Sequence, residues 1–188
     1  MFKSKYFIIC LGMVVLSGII LFSMGRVPWC ECGAWWQLWS GQVLSSHNSQ
    51  HLTDPYTFSH IIHGLIFYAL LWMVGRRYSA GRRLVVATFL EVGWEILENT
   101  NMVIERYRAA TMSLNYFGDS VLNSTGDILA MIFGFWLATK LPIRYSIVFI
   151  IAVELILAWW IRDNLTLNII MLIHPIESIK IWQAGLGV

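Results

Sequence analysis

The sequence predicts an all-α fold, a polytopic membrane helix bundle of about five transmembrane helices closed by an interfacial C-terminal segment. Three observations predict it. The 188-residue chain is 57% hydrophobic with a mean hydropathy of +0.64, and only 13% of it is charged, against about 25% in soluble domains. Its apolar residues gather in runs near the length that crosses a bilayer, roughly 20 residues each. Its 10 tryptophans suit the membrane–water boundary, where an amphipathic ring is stable. About five such spans use most of the chain, so residues 1–188 read as one integral membrane domain.

Residues 6–25, YFIICLGMVVLSGIILFSMG, follow Lys3 and Lys5 and form the first span. Ser23-Met24-Gly25 offers a loose signal-peptidase site, but the apolar core exceeds the 7–15 residues of a signal peptide, which favours an uncleaved helix. A polar connection, residues 26–55, carries Trp29, Trp35, Trp36 and Trp39 and suggests a short interfacial helix around residues 34–44. Cys30 and Cys32 lie in it and read as two ordinary thiols or a local bridge, because the loop supplies no metal partners at standard spacing. The second span, 56–75, turns wholly apolar after His63 and exits at Arg76, Arg77, Arg82 and Arg83. The third, 84–104, contains glutamates and ends near Glu105 and Arg106. The fourth, 119–141, carries Gly126 and Gly134, which permit close helix approach. A basic turn with Lys140 and Arg144 leads to the fifth, 145–160. The last stretch has too few apolar residues before His174-Pro175 for a sixth span and reads as an interfacial or re-entrant amphipathic segment.

Lysine and arginine placement sets the expected orientation. Lys3, Lys5, the four-arginine loop, Lys140 and Arg144 fall on one side of a five-span chain. The N terminus is therefore expected in the cytoplasm and the C terminus in the periplasm. The formal charge of +2 gives no argument for nucleic acid, so the expected partners are membrane lipids, and the oligomeric state stays open.

Against this apolar background the acidic residues stand out. Glu91, Glu95, Glu98 and residue 102 share one face of a 3.6-period helix, and Asp119, Asn123 and Asp127 share one face of another. A carboxylate in hydrocarbon costs several kcal/mol, so such groups face a bundle interior or a wet cavity. In the expected topology His60, His63, Glu95, Glu98, Asn99, Asp119 and Asn123 lie in the external half of the bilayer, with Glu91 and Asp127 deeper.

These residues admit several chemistries. His60 and His63, three apart, can offer two imidazoles to a divalent transition metal, with Glu95 or Asp119 as an oxygen ligand; the same pair can simply bridge helices or act in acid–base catalysis. Glu95 and Asp119 can share a proton, one acting as base while the other donates. They can equally serve only as helix bridges through Asn99, Asn123, Ser120 or Trp94. Arg106 can clamp a lipid phosphate, while Arg108 reads as a headgroup anchor. No P-loop, dinucleotide fingerprint or G-x-S-x-G occurs, so nucleotide use and serine-hydrolase chemistry lose support. Ser59 and Ser120 remain nucleophile candidates without local support.

At SQHLTDPYTFSHIIHG, GWEILENT, VIERYR, YFGDSVLNSTGD and HPIESIKIWQ, covering most of residues 49–183, the chain resembles an uncharacterised family of bacterial multi-pass inner-membrane proteins. That resemblance implies a cytoplasmic-membrane location and brings no established activity. A weaker likeness links Glu95, Arg106 and Asp119-x-x-x-Asn123-x-x-Gly126 to the VanZ-like membrane proteins, although Glu95 and Asp119 stand further apart here.

The expected function is a membrane-embedded hydrolase or transferase acting on a lipid or lipid-linked substrate at the periplasmic leaflet. His60, His63, Glu95 and Asp119 are its catalytic candidates, and Glu91, Glu98, Asn99, Arg106, Asn123 and Asp127 its binding candidates. A proton- or ion-coupled transporter is the first alternative, disfavoured by the apolar inner halves of the second and fourth spans. A non-catalytic scaffold is the second.

Overall fold

The structure is a computed structural model and describes residues 4–32, 36–110 and 116–185. Eight α-helices make it up: α1 (Ser4–Ser23), α2 (Thr57–Val74), α3 (Ala80–Glu98), α4 (Asn101–Ala110), α5 (Val121–Ala138), α6 (Ile143–Trp160), α7 (Leu165–Ile173) and α8 (Glu177–Ala184). No strand occurs among the described residues. Four of the helices, α1, α2, α5 and α6, are long and apolar enough to cross a membrane. Helix α3, of 19 residues, has a similar length, roughly 28 Å at 1.5 Å per residue, but its buried face carries Arg83, Glu91 and Glu95.

Helices α1, α2, α3 and α5 pack together, and α6 lies outside them against α2. Cys10, Leu84, Ala87, Met131 and Phe135 of α1, α3 and α5 form one buried cluster. Most of α6 faces outward; Val153 and Leu157 are its buried residues. Phe7, Ile8, Ile19 and Phe22 on α1 are likewise exposed, as expected for a surface that meets lipid rather than water. The tightest crossing is α2 on α5. A Cβ at Gly64 would strike the backbone of Met131 and Phe135, and one at Gly134 would strike that of Ile61, so small residues let the two backbones meet.

Helix ends follow from local chemistry. Ser79 and Ser120 cap α3 and α5 by accepting from Arg82 N and Asn123 N. Asn164 caps α7 in the same way, and Glu154 of α6 accepts from Leu165 N and Thr166 N. Charge at a helix N-terminus satisfies otherwise orphaned N–H groups there.

Three sequence expectations change. The third helical run does not continue to residue 104: it stops at Glu98, where the Asn99 side chain donates back to Glu95 O, and α4 starts separately at Asn101. Met102 is consequently 69% exposed and leaves the acidic stripe. Asp119 precedes α5 rather than riding on it, with Ser120 as the cap between them. The interfacial helix expected around residues 34–44 is absent over residues 36–44, where Trp39 instead packs on Trp160 and Phe58; Trp35 lies outside the described residues. The C-terminal segment is two short helices, α7 and α8, joined at His174-Pro175.

Candidate functional site

The start of α2, the end of α3 and the start of α5 meet at one end of the bundle, and each brings polar side chains there. On α2 the i, i+3 spacing sets His60 and His63 on the face toward α3. Nδ1 of His60 donates to Glu91 Oε1 at 2.6 Å, and Nδ1 of His63 sits 3.1 Å from both Glu91 oxygens. One carboxylate therefore holds two imidazoles by the same nitrogen, which fixes their tautomers and leaves both Nε2 atoms for other partners. His60 Nε2 lies 3.9 Å from Asp127 Oδ2, and Thr57 Oγ1 donates to the other Asp127 oxygen at 2.9 Å.

Glu95 occupies the centre. Its carboxylate approaches His60 Nδ1 at 3.4 Å, yet neither oxygen has a hydrogen-bond donor among the described atoms, and the residue is 0% exposed. His60, Glu95 and Asp127 bring one donor atom each within 4.8 Å of the others, as do Glu95, Glu98 and Asp119. Acceptor-only groups packed this closely call for protons or a cation between them. A divalent cation fits the His60, Glu95 and Asp127 set, whose nitrogen and oxygen donors suit such an ion.

A second layer holds Asp119. Asn99 Nδ2 donates to Asp119 Oδ2 at 2.8 Å while Asn99 Oδ1 accepts from Asp119 N at 2.7 Å. Tyr116 OH donates to Asp119 Oδ1 at 3.1 Å. Asn123 Nδ2 donates to His51 O at 2.8 Å and reaches Asp54 Oδ2 at 3.4 Å. Asp54, just outside α2, accepts from Tyr56 N and Thr57 N; burial, aided by the nearby Asp119 charge, pushes its carboxyl up to about 7.

These groups form one wall of a cavity of about 500 Å3. His60, His63, Glu91, Glu98, Asp119 and Asp127 line the polar side; Ile66, Phe67, Leu90, Leu97, Ile169 and Leu172 line the other. Leu90, Leu97 and Ile169 are among the exposed apolar residues, so the apolar wall is not sealed inside the bundle. Below Asp127 the interior is filled by Met131, Phe135, Leu84 and Ala87.

The structure brings together His60, His63, Glu91, Glu95, Glu98, Asp119 and Asp127, with Asn99 and Asn123 as their supports. It does not bring Arg106. That guanidinium donates to Leu172 O at 2.9 Å and Ile173 O at 3.3 Å, closing the C-terminal end of α7 instead of facing the cavity. Arg108 lies over the Phe117 ring at 5.2 Å. Ser120 Oγ caps α5 and donates to Gln50 O, so it is committed; Ser59 lines the cavity with its hydroxyl unpartnered among the described atoms. Asp54, Thr57, Tyr107 and Tyr116 were not legible as site residues, although Asp54-Pro55-Tyr56-Thr57 has the composition of a helix start.

The fold and this site define a helical membrane protein with a buried acid–imidazole cluster opening on an apolar cavity. A family described as "Protein of unknown function (DUF2585)" matches residues 21–185. The chain is 52% identical over 174 residues to the UPF0314 protein of Paracoccus denitrificans, covering 93% of this chain and 90% of that one. It is 53% identical over 181 residues to the UPF0314 protein of Sinorhizobium fredii, covering 96% and 91%. With the UPF0314 protein of Agrobacterium fabrum it shares 45% identity over 182 residues, 97% of this chain and 91% of the relative. The chain belongs to the DUF2585 family. No solved structure matches it.

Proposed function

We propose that this chain is a membrane-embedded hydrolase or transferase of the bacterial inner membrane, acting on a lipid or lipid-linked substrate at the periplasmic leaflet. The observation that carries the reading is the two-sided cavity: an acid–imidazole wall and an apolar wall whose Leu90, Leu97 and Ile169 are themselves exposed. An amphiphile fits it, with its polar linkage against His60 and His63 and its chain along Leu90, Leu97 and Ile169. A purely polar substrate would gain nothing from that second wall.

In this reading His60 is the general base. Glu91 orients it through Nδ1, so its Nε2 can take a proton from an attacking water or hydroxyl. His63, held by the same carboxylate, lies where it can protonate a leaving group. Glu95 and Asp127 would offer carboxylate oxygens to a divalent cation, which would polarise the ester or phosphoryl oxygen while His60 keeps its Nε2 for the proton. Asp119, gripped by Asn99 and Tyr116, shares the proton inventory with Glu95. The packing of Met131 and Phe135 beneath Asp127 argues for a one-sided pocket rather than a transport path.

Lipid and envelope-precursor profiling of a deletion strain tests this, compared with the same strain carrying wild-type chain or Asp119→Asn. Catalysis predicts one precursor that accumulates in the deletion and in the Asp119→Asn strain at equal protein level. If the substituted chain restores the wild-type profile, Asp119 has no catalytic role and the cluster is a helix-bridging scaffold.

A further inference from the structure

The connection between α1 and α2 holds a second group of ligand-type side chains, separate from the cavity wall described above. Cys30 and Cys32 follow the exit of α1; His47 and His51 come from the segment that runs back toward α2. Standard metal-site spacing offers the two cysteines no partners in sequence. The structure supplies them across the loop. Cys32 Sγ lies 3.9 Å from His51 Nε2, His47 Nδ1 lies 3.0 Å from the same nitrogen, and one donor atom of each of the four residues falls within 4.8 Å of the others. Cys30 is buried and His51 fully so. His51 Nδ1 has no hydrogen-bond partner among the described atoms, so hydrogen bonding from that side does not account for a buried imidazole here.

We propose that Cys30, Cys32, His47 and His51 are the four ligands of a structural zinc site. Two thiolates and two imidazoles are the donor set zinc takes in closed, four-ligand sites, and His47-x-x-x-His51 has the histidine spacing such sites use. The structure joins Cys30 to Cys32 by a disulfide, and zinc binds the reduced form. Exchange with a dithiol transfers two electrons and two protons to that bridge, giving two thiols and the dithiol's own disulfide. Zinc then displaces the two thiol protons.

The site's place in the fold gives it a purpose. Val27 O and Pro28 O accept from Val121 N and Leu122 N, and Ser49 O accepts from Ser120 N. Both arms of the loop thus hold the start of α5, where Asp119 and Asn123 sit. A zinc ion linking Cys30 and Cys32 to His47 and His51 ties those arms together above it. Cys32 also lines a cavity of about 330 Å3 shared with Arg26, Asn48 and Asp119, and Asn48 reaches the main cavity as well.

The test uses the full chain in detergent, reduced with a dithiol, stripped with a chelator, and loaded with zinc or cobalt(II) alone before desalting. Reduced wild type should retain one zinc more per chain than Cys30→Ser/Cys32→Ser and than His47→Ala/His51→Ala. The cobalt form should show the sulfur-to-metal charge-transfer band that an oxygen–nitrogen site at His60, Glu95 and Asp127 cannot give. Alkylation of Cys30 and Cys32 in wild type should be blocked by zinc and restored by chelator, a readout that needs no variant to fold. A cobalt form without that band, or alkylation indifferent to zinc, would overturn the proposal while leaving the cavity chemistry untouched.

Discussion

Glu91 and Glu95 sit one helical turn apart on α3, both fully buried, yet their surroundings are opposite. Glu91 takes hydrogen bonds from two imidazoles, whereas Glu95 has no donor among the described atoms. An unpaired buried carboxylate weakens the fold, and replacing it with a neutral isostere is neutral or stabilising. Glu95→Gln should therefore lower activity at least about 100-fold while its melting temperature in detergent stays level or rises. A lowered melting temperature together with full complementation would make Glu95 structural. Asp163 gives a pH prediction at the same scale. Beyond the end of α6, it accepts from Tyr56 OH, Asn164 N and Gln183 Nε2, but burial outweighs these bonds and raises its carboxyl from 3.8 to about 6. Its folded-state value lies above its unfolded one, so the folded chain binds the extra proton. That contribution is complete below about pH 4 and is lost as pH rises through about 6. Asp163→Asn should remove this fall, worth on the order of 2–3 kcal/mol, and leave the variant more stable than wild type at pH 8. Thermal melts from pH 4 to about 8 check it; parallel curves for the two proteins would refute it.

Elements differ in how far their sequence disclosed them. The apolar runs of α1, α2, α5 and α6 are long enough that length alone marks them, and the glutamate stripe on α3 follows from a 3.6-residue period. The break at Asn99 could not be read the same way, because Asn101–Ala110 is itself helical and the tertiary bond from Asn99 to Asp119 adds to its local bond to Glu95 O in favouring interruption. Trp39 was placed in an interfacial helix for its ring, when its actual partners are Trp160 and Phe58, far along the chain. His47 and His51 meet Cys30 and Cys32 only in the folded chain, since no helical or strand period relates the two pairs in sequence. Gly126 and Gly134 marked a close approach without naming its partner: Gly134 meets α2 at Ile61 while Gly126 meets Leu52, and the α2–α5 pairing is testable. At Gly134 a Cβ meets the Ile61 backbone, which cannot swing aside as a side chain would. Gly134→Ala should cost about 1–3 kcal/mol, seen as a lower melting temperature and less folded protein. Gly12 of α1 has open space for a Cβ, so Gly12→Ala should instead gain up to about 1 kcal/mol from helix propensity. Equal effects at the two sites would mean that α2 and α5 do not pack through Gly134.

At the scale of the whole molecule, the two ends of the bundle differ in charge. Tyr6 of α1 meets Ser79 and Gly81 at the start of α3, which puts Lys5 beside Arg76, Arg77, Arg82 and Arg83. The turn joining α5 to α6, with Lys140 and Arg144, returns to that same end because α5 begins at the other. The opposite end holds Asp54, Asp119, Asp163, the cavity and the Cys30–His51 loop, with α4, α7 and α8 folded across it. Arg162 NH1 donates to Trp182 O and Lys180 Nζ to Ala109 O, so basic residues at this end are engaged with carbonyls. Short loops rich in lysine and arginine favour the cytoplasm, so the expected orientation turns the cavity toward the periplasmic leaflet. Reporter fusions after Arg83 and after Arg144 should accordingly read cytoplasmic, and fusions after Thr53 and Ala109 periplasmic. In that orientation α3 is expected to cross the bilayer despite its charged face, since Arg83 and Ala109 bracket it. A cytoplasmic reading at both Arg83 and Ala109 would show that α3 does not span. A periplasmic reading at Arg83 would invert the bundle and place the proposed chemistry on the cytoplasmic leaflet.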